Sequence, residues 1–412
     1  MILIEFFDHA SVENIIGALV CEPERVILIG DKRKHMQKGI AVYEQLLRSR
    51  GIQTEIRYMV VNKNNLPNIV SVLSQIVEQN EDCVFDLTGG EDLYLVAVGA
   101  VMQQYQGRVQ CHRFNLQNGV VYDCDADGIV CSMKPIDISV EENILIYGGK
   151  MVEDEQSGLY TYPWNFGEEA LCDIEAMWNI CKKNARLWNV QIGLLGSICE
   201  LQQDQNVLSI TFHREDVIAL THRADAKILF APWIFYELES QKLIESLTIT
   251  DNAVSFVFKN KQVKRCLTIA GQVLELTVAS KMRALTDAKG QQIYHDVRVG
   301  VVIDWDVTDE ESDVRTINEI DVLAMKGACP IFISCKNGNF DSNEAYKLST
   351  VAERFGAHYA KKVVIATELE KLGDRAEYLR ARMVDMKIRC VEDVDAMSDT
   401  ELERVLKTLW SN

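Results

Sequence analysis

The chain has 412 residues, 48% of them hydrophobic and 25% charged, with only 6 prolines and 23 glycines. At about 150 residues per domain this is material for two to three domains, and it excludes low-complexity and collagen-like chains. With 43 basic and 61 acidic residues the net charge is −18, which argues against a surface made generally to wrap nucleic acid, leaves room for a local basic groove, and suits a site that collects divalent metal. Glu5 and Asp8 interrupt the N-terminal apolar run, so no secretory peptide is expected. The longest apolar stretch, 93–102, is too short to span a bilayer and reads as a buried helix. A soluble, cytoplasmic protein with no membrane partner is the expectation. The 12 cysteines contain no C-x-x-C pair, and buried thiols such as Cys83, Cys111 and Cys199 in a reducing compartment fit them better than a zinc knuckle or disulfide framework.

Short apolar runs alternate with amphipathic segments over the first 125 residues. Strands are predicted at ILIEFF, RVILIG, TEIRYMVV and CVFDL, with helices over 11–20, 35–49, 66–79 and 91–105. This alternation implies βαβ units and a parallel sheet covered on both faces. RVQCHRFNLQNGVVYD then reads as a hairpin, because Asn118-Gly119 is a turn pair between two strand-like runs.

The pattern changes between 135 and 265. Helices dominate 168–201, with Trp178 and Trp188 as packing anchors, and 231–258 reads as helix, strand, a turn at Asp251-Asn252, and strand. That order fits a winged-helix module, or a structural spacer, which the acidic composition favours. From about Cys266 a second α/β unit follows: a helix over 271–283, strands at VRVGVVIDWDV, TINEIDVLAMKG, CPIFISCKNG and AKKVVIAT, helices over 343–355 and 374–386, and a terminal helix opened by Ser398 in capping-box register with Glu401.

In the first unit, DLTGGED places Thr88-Gly89-Gly90 between a buried strand and an apolar helix. Backbone N–H groups at such a helix start favour an anion, and strand C-termini of an open parallel sheet are where ligands bind. The loops Asp8-His9-Ala10-Ser11 and Gly30-Asp31-Lys32-Arg33-Lys34 open onto the same edge. A phosphate-bearing ligand is expected there, and the absence of G-x-G-x-x-G and Walker-A patterns disfavours dinucleotides and nucleoside triphosphates. Following several βα units, DLTGGED resembles the CARF domain, the CRISPR-associated Rossmann fold. The resemblance covers about the first 125 residues and implies a homodimer binding a cyclic oligoadenylate, chiefly cyclic tetra-adenylate, across its two-fold axis. Carried over, the contacts fall on His9, Ser11, Asp31, Lys32, Thr88, Gly89, Gly90 and Glu91. Glu91 and Asp92 stand where that family often has Lys or Thr.

In the last unit, strand alternation puts Glu319 and Asp321 on one face, and Lys336 closes the next strand. A carboxylate and a lysine on neighbouring strands can meet a metal and a scissile phosphate. Glu275 on the preceding helix can approach them, and Asp304 and Asp306 flank them. Cys335 has no adjacent histidine and reads as core. NEIDVL with FISCKNG resembles the PD-(D/E)xK nuclease core, and more closely the nuclease of CARF-fused ancillary effectors in type III CRISPR systems, over roughly 266–400. The resemblance implies catalytic Glu275, Glu319, Asp321 and Lys336. It also implies a divalent metal, Mn²⁺ or Mg²⁺, on Glu275, Asp304, Asp321 and the Cys335 carbonyl. Ser334 stands where the motif has its second acidic residue, which leaves either a rearranged or a degenerate centre.

The expected architecture is therefore a Rossmann-like CARF domain (1–135), a helical and winged-helix-like connector (136–265) and a PD-(D/E)xK restriction-endonuclease-like domain (266–412). The expected function is an activator-dependent phosphodiester hydrolase acting on DNA or RNA in antiviral defence. The alternatives are a non-enzymatic cyclic-oligoadenylate sensor that binds DNA, and an unrelated α/β enzyme for a phosphorylated metabolite.

Overall fold

The computed structural model describes residues 1–124, 130–202, 207–223, 227–305, 316–337 and 342–410. Alternating apolar strands and amphipathic helices build the first unit: β1 (Ile2–Phe6), α1 (Glu13–Cys21), β2 (Arg25–Gly30), α2 (Arg33–Ser49), β3 (Glu55–Val60), α3 (Leu66–Gln79), β4 (Cys83–Asp86), α4 (Asp92–Gln104) and β5 (Val109–Asn115). These strands lie parallel in the order β3-β2-β1-β4-β5, and β6 (Val120–Asp123) and β7 (Val130–Ser132) extend the sheet antiparallel. Strand alternation divides the side chains between two layers. Ile2, Ile4 and Phe6 meet α3 and α4, while Leu3 points with Val26 and Leu28 towards α1 and α2. The strand order reverses between β1 and β4, the topological switch point at which open α/β sheets bind ligands.

The connection runs through α5 (Val140–Ile146), capped by Ser139 and Glu142, to β8 (Lys150–Met151). Although β8 falls within the segment read from sequence as connector, it pairs with the third sheet described below. Helices α6 (Glu168–Cys181) and α7 (Ala185–Leu201) lead into β9 (Ser209–His213), α8 (Arg214–Thr221), α9 (Pro232–Ser240), β10 (Ile244–Ile249) and β11 (Ala253–Phe258). The sheet order β10-β11-β9, with two helices between β9 and β10, is winged-helix topology. Its α9 carries Glu237, ion-paired to Lys183 at 2.6 Å, and Glu239, charges that oppose reading a phosphate backbone.

Next come α10 (Lys261–Cys266), α11 (Gln272–Ala284), β12 (Asp296–Asp304), β13 (Ile317–Lys326), β14 (Cys329–Asn337), α12 (Ser342–Gly356), β15 (Lys361–Thr367), α13 (Asp374–Asp385), β16 (Arg389–Val391) and α14 (Asp399–Lys407). The sheet order is β16-β15-β14-β13-β12-β8, parallel from β16 to β14 and antiparallel beyond. One face packs on α6, α7, α11 and α14; the other shares a continuous core with α1, α2, α5, α12 and the first sheet. Two polar ties cross this layer: Arg50 to Glu142 at 2.7 Å, and the Asn143 amide donating to the Phe355 carbonyl at 2.8 Å. The chain is thus a mixed α/β protein with a Rossmann-like parallel sheet. Among the described residues no helix is long and apolar enough to cross a membrane.

Gly196 lets α7 approach the loop before α11, since a Cβ there would stand 2.2 Å from the Thr268 carbonyl oxygen. Gly196→Ala forces the two backbones apart and is expected to cost about 1–3 kcal/mol, as overpacking does. Denaturant unfolding of the variant against the parent chain checks this, and an unchanged midpoint would contradict the close approach.

Candidate functional site

Strands β12 and β13 pair with Val299 opposite Val322 and Val301 opposite Ile320. The residues between these pairs are Gly300, at φ +58°, and Asp321. Both strands change face at this step. Val299 and Val322 pack into the core on the α11 side, whereas Val301 and Ile320 pack into the core shared with the first sheet. Simple alternation through Asp321 therefore does not hold, and the carboxylate reaches along the sheet to β14. Its Oδ2 accepts from the Cys335 backbone N–H at 2.7 Å, the Ser334 hydroxyl at 3.1 Å and the Lys336 ammonium at 3.4 Å.

Lys336 is also 3.0 Å from Glu344 of α12, which lies 3.0 Å from Lys347. Burial pulls the Lys336 pKa down, but the Asp321 and Glu344 charges outweigh it and hold the ammonium above its ordinary value. Burial pushes the Glu344 carboxyl up, and Lys336 and Lys347 more than reverse that. Glu344 is a site residue that sequence reading missed. Its only signal was a place near the start of the helix following the Lys336 strand.

Glu275 enters from α11 and accepts from the Gln272 amide at 2.9 Å. Burial first, and then the Asp321 and Glu319 charges, drive its carboxyl well above the usual range. Loss of water and the Asp321 charge raise Glu319 as well, opposed by Arg265 and Lys336. Three carboxylates thus crowd together against one lysine, the electrostatic setting that a hard divalent cation with oxygen ligands relieves. Among the described residues no three His, Cys, Asp or Glu side chains stand ready-made as a metal cage. Asp304 lies two positions along β12 from Val302, the partner of Glu319, and is itself opposite Ile317 and Lys150. Asp306 lies outside the described residues. Burial and the Asp321 and Glu275 charges push the Cys335 thiol well above its ordinary pKa, which makes it a poor nucleophile.

The second cluster sits at the switch point of the first sheet. Gly90 holds φ +110° with Phe6 against it, so that a Cβ would meet the ring's own Cβ at 2.8 Å. Asp8 braces the turn, accepting from Ala10 N–H at 3.0 Å and Gly90 N–H at 3.2 Å. The Thr88 hydroxyl is engaged internally, donating to Asp86 and accepting from Phe114 N–H at 2.8 Å. His9 and Lys32 are exposed, and Ser11 and Asp31 half-buried. Lys63, which sequence reading also missed, lies 2.7 Å from Glu91 and 4.0 Å from Asp31. It answers the acidic charge that follows the glycines.

Behind the turn, Glu5 and Asp86 occupy adjacent positions of β1 and β4, each only 2% exposed. Burial raises the Asp86 carboxyl to about 7 and Glu5 well above its usual range. Beside them Glu13, 6% exposed, accepts from the Tyr359 hydroxyl at 2.6 Å, with His358 3.5 Å away. Its other oxygen would be 3.0 Å from a Cβ on Gly89. The glycine turn and the short turn that leads into β15 therefore touch the two sides of one carboxylate.

No protein-family profile and no curated protein matches the sequence. Solved structures do. Protein VC1899 from Vibrio cholerae is 15% identical and aligns over 100% of this chain and 99% of its own, with a TM-score of 0.72. Can2 from Sulfobacillus thermosulfidooxidans, solved in complex with cyclic tetra-adenylate, is 16% identical over 100% of this chain and 97% of its own, with a TM-score of 0.66. A type III CRISPR defence DNA nuclease activated by cyclic oligoadenylate is 13% identical over 89% of this chain and 45% of its own, and its TM-score of 0.47 is too low to carry an inference. At these identities the first two alignments establish one thing: the whole chain, from the first sheet to the last, has the fold of VC1899 and of Can2.

Proposed function

We propose that the chain is a cyclic-oligoadenylate-gated, metal-dependent nuclease of type III CRISPR antiviral defence. In this reading the first unit is a CARF domain, the middle a winged-helix connector and the last a PD-(D/E)xK-type nuclease. The observation that carries the reading is the Asp321–Lys336 pair on adjacent strands, with buried Glu275 and Glu319 beside it, in a chain that shares its whole fold with a protein solved with cyclic tetra-adenylate.

The activator, cyclic tetra-adenylate, binds between the first units of two chains, because one chain offers only half of a two-fold site. His9, Ser11, Lys32 and the Gly89-Gly90 turn face it, and Lys63 neutralises Glu91 and Asp31 so that phosphate is not repelled. In the last unit Asp321, Glu275, Glu319 and the Cys335 carbonyl would hold Mg²⁺ or Mn²⁺, and such an ion would polarise a phosphoryl oxygen and make water more acidic. Lys336, kept protonated by Asp321 and Glu344, meets the negative charge that grows on the scissile phosphate. The Ser334 hydroxyl holds Asp321 where an acidic residue would otherwise add a ligand.

Ser334 also favours a second reading. Three protein donors already fill one oxygen of Asp321, an arrangement that would also suit a centre retired from catalysis, and the chain would then act as a DNA-binding sensor. Metal dependence separates the two, since only the nuclease needs the ion for its effect.

Cleavage of supercoiled plasmid and of labelled single-stranded DNA and RNA, with Mn²⁺ and cyclic tetra-adenylate, tests the proposal. Asp321→Ala and Lys336→Ala are each expected to lose about 10²–10³-fold in rate, the scale of removing one electrostatic stabiliser. Full activity in both variants would remove the centre, and tight activator binding without any cleavage would select the sensor. A second expectation follows from Glu275. Its folded-state pKa is raised, so above the ordinary carboxyl range the unfolded chain has released a proton that the folded one still holds. Stability then falls as pH rises through that window. In chelator, thermal unfolding of Glu275→Gln should show a smaller loss between pH 5 and pH 8 than the parent chain, and Mn²⁺ should stabilise the parent more than the variant.

A further inference from the structure

Arg265, at the end of α10, lies over an aromatic row. Its guanidinium carbon is 4.4 Å from the ring centre of Tyr162, 5.6 Å from that of Tyr160 and 5.9 Å from that of Trp164. The three rings come from alternate residues of one segment, with neighbouring centroids 6.4 Å and 4.7 Å apart. All three are half-buried and so keep part of their surface in solvent. Thr161 fastens the row. Its N–H donates to Val152 at 2.7 Å, and its hydroxyl oxygen accepts from Val302 N–H at 2.9 Å. Val302 is the ladder partner of Glu319, so the row borders the carboxylate cluster.

Arg265 has no ion-pair partner among the described residues. Its Nε is buried without a hydrogen-bond acceptor, while the residue as a whole is only half-buried. In a chain of net charge −18, an arginine that lies over aromatic rings, with Glu319 feeling its charge only from beyond ion-pair distance, is a cation kept for an outside anion. A planar guanidinium presents paired donors that match a phosphate. Aromatic faces take unpaired bases of any identity, whereas bases stacked within a duplex are not on offer.

We propose that Arg265 with Tyr160, Tyr162 and Trp164 forms a strand-binding subsite for single-stranded nucleic acid beside the carboxylate–lysine centre. The guanidinium takes a backbone phosphate, and a neighbouring unpaired base lies against the exposed part of the row. The nuclease reading supplies the subsite's purpose, but binding can be measured without it.

The test is fluorescence anisotropy of a labelled oligothymidylate and of a short DNA duplex in EDTA, with cyclic tetra-adenylate present, so that no hydrolysis is needed. Arg265→Ala and Tyr162→Ala are each expected to weaken oligothymidylate binding about tenfold, the scale of one lost stacking or clamp contact. Tyr162→Phe should keep affinity because the ring remains, and Arg265→Ala should flatten the salt dependence. Unaltered affinity in folded Arg265→Ala and Tyr162→Ala chains would overturn the subsite, leaving the rings as packing for α10. An equal loss for the duplex would overturn the single-strand assignment. Row-dependent binding with no metal-supported cleavage would keep the subsite and remove the nuclease. Cleavage indifferent to both substitutions would do the reverse.

Discussion

The third sheet depends on the step at which β12 and β13 exchange faces. A regular pair would send a residue at position 321 wholly into one core or the other, and a carboxylate buried there without partners would be costly. Gly300, with no Cβ and φ +58°, lets both strands invert. Asp321 is then turned edgewise onto β14, where a main-chain N–H, a hydroxyl and an ammonium satisfy it. Lys336 is fixed by the same contact, and Glu344 on α12 completes its neutralisation. Glu275, arriving from the opposite layer, is stripped of water and set beside the Asp321 and Glu319 charges, which Lys336 only partly offsets, and its carboxyl is driven upward. The unbalanced charge of the centre is therefore built into the backbone geometry.

The first sheet is organised by a comparable economy of polar groups. Thr88 spends its hydroxyl on Asp86 and Phe114, and Asp8 takes the Gly90 N–H, so the turn keeps its shape without a ligand. Glu13 then reaches from beneath that turn to Tyr359, at the end of the segment that follows α12. The path from the glycines to the lysine centre is short in contacts although long in sequence. It passes from Gly89 to Glu13, Tyr359, α12, Glu344 and Lys336. Because His358 is held above its ordinary pKa chiefly by its bond to Glu13, its charge at this junction depends on the carboxylate staying in place.

Much of this was legible in the sequence. Period-two apolar strands alternating with amphipathic helices gave the first sheet, Asn118-Gly119 its hairpin, and Ser398 with Glu401 the last helix. Asp321 and Lys336 stood out because each interrupts or ends an apolar run. Other features carried no local mark. VRVGVVID reads as an unbroken strand, so the inversion at Gly300 was hidden, and with it the true direction of Asp321. Glu344, Lys63 and Arg265 are ordinary surface residue types on ordinary elements, and only tertiary packing brings them to their partners. The helix-strand-turn-strand order of 231–258 already fitted a winged helix, but its third strand, β9, pairs with β11 across two intervening helices and carried no local mark.

The apolar layer between the two large sheets belongs to both. Leu3, Val26 and Leu28 from one side meet a core that also holds Leu323, Phe332 and Val364 from the other. Each unit keeps a core layer of its own on its far face, but on this face neither interior is finished without the other. Cutting the protein into its apparent modules would strip a greasy wall from each half. The two sheets share one wall, so a push delivered to one passes to the other through packed side chains.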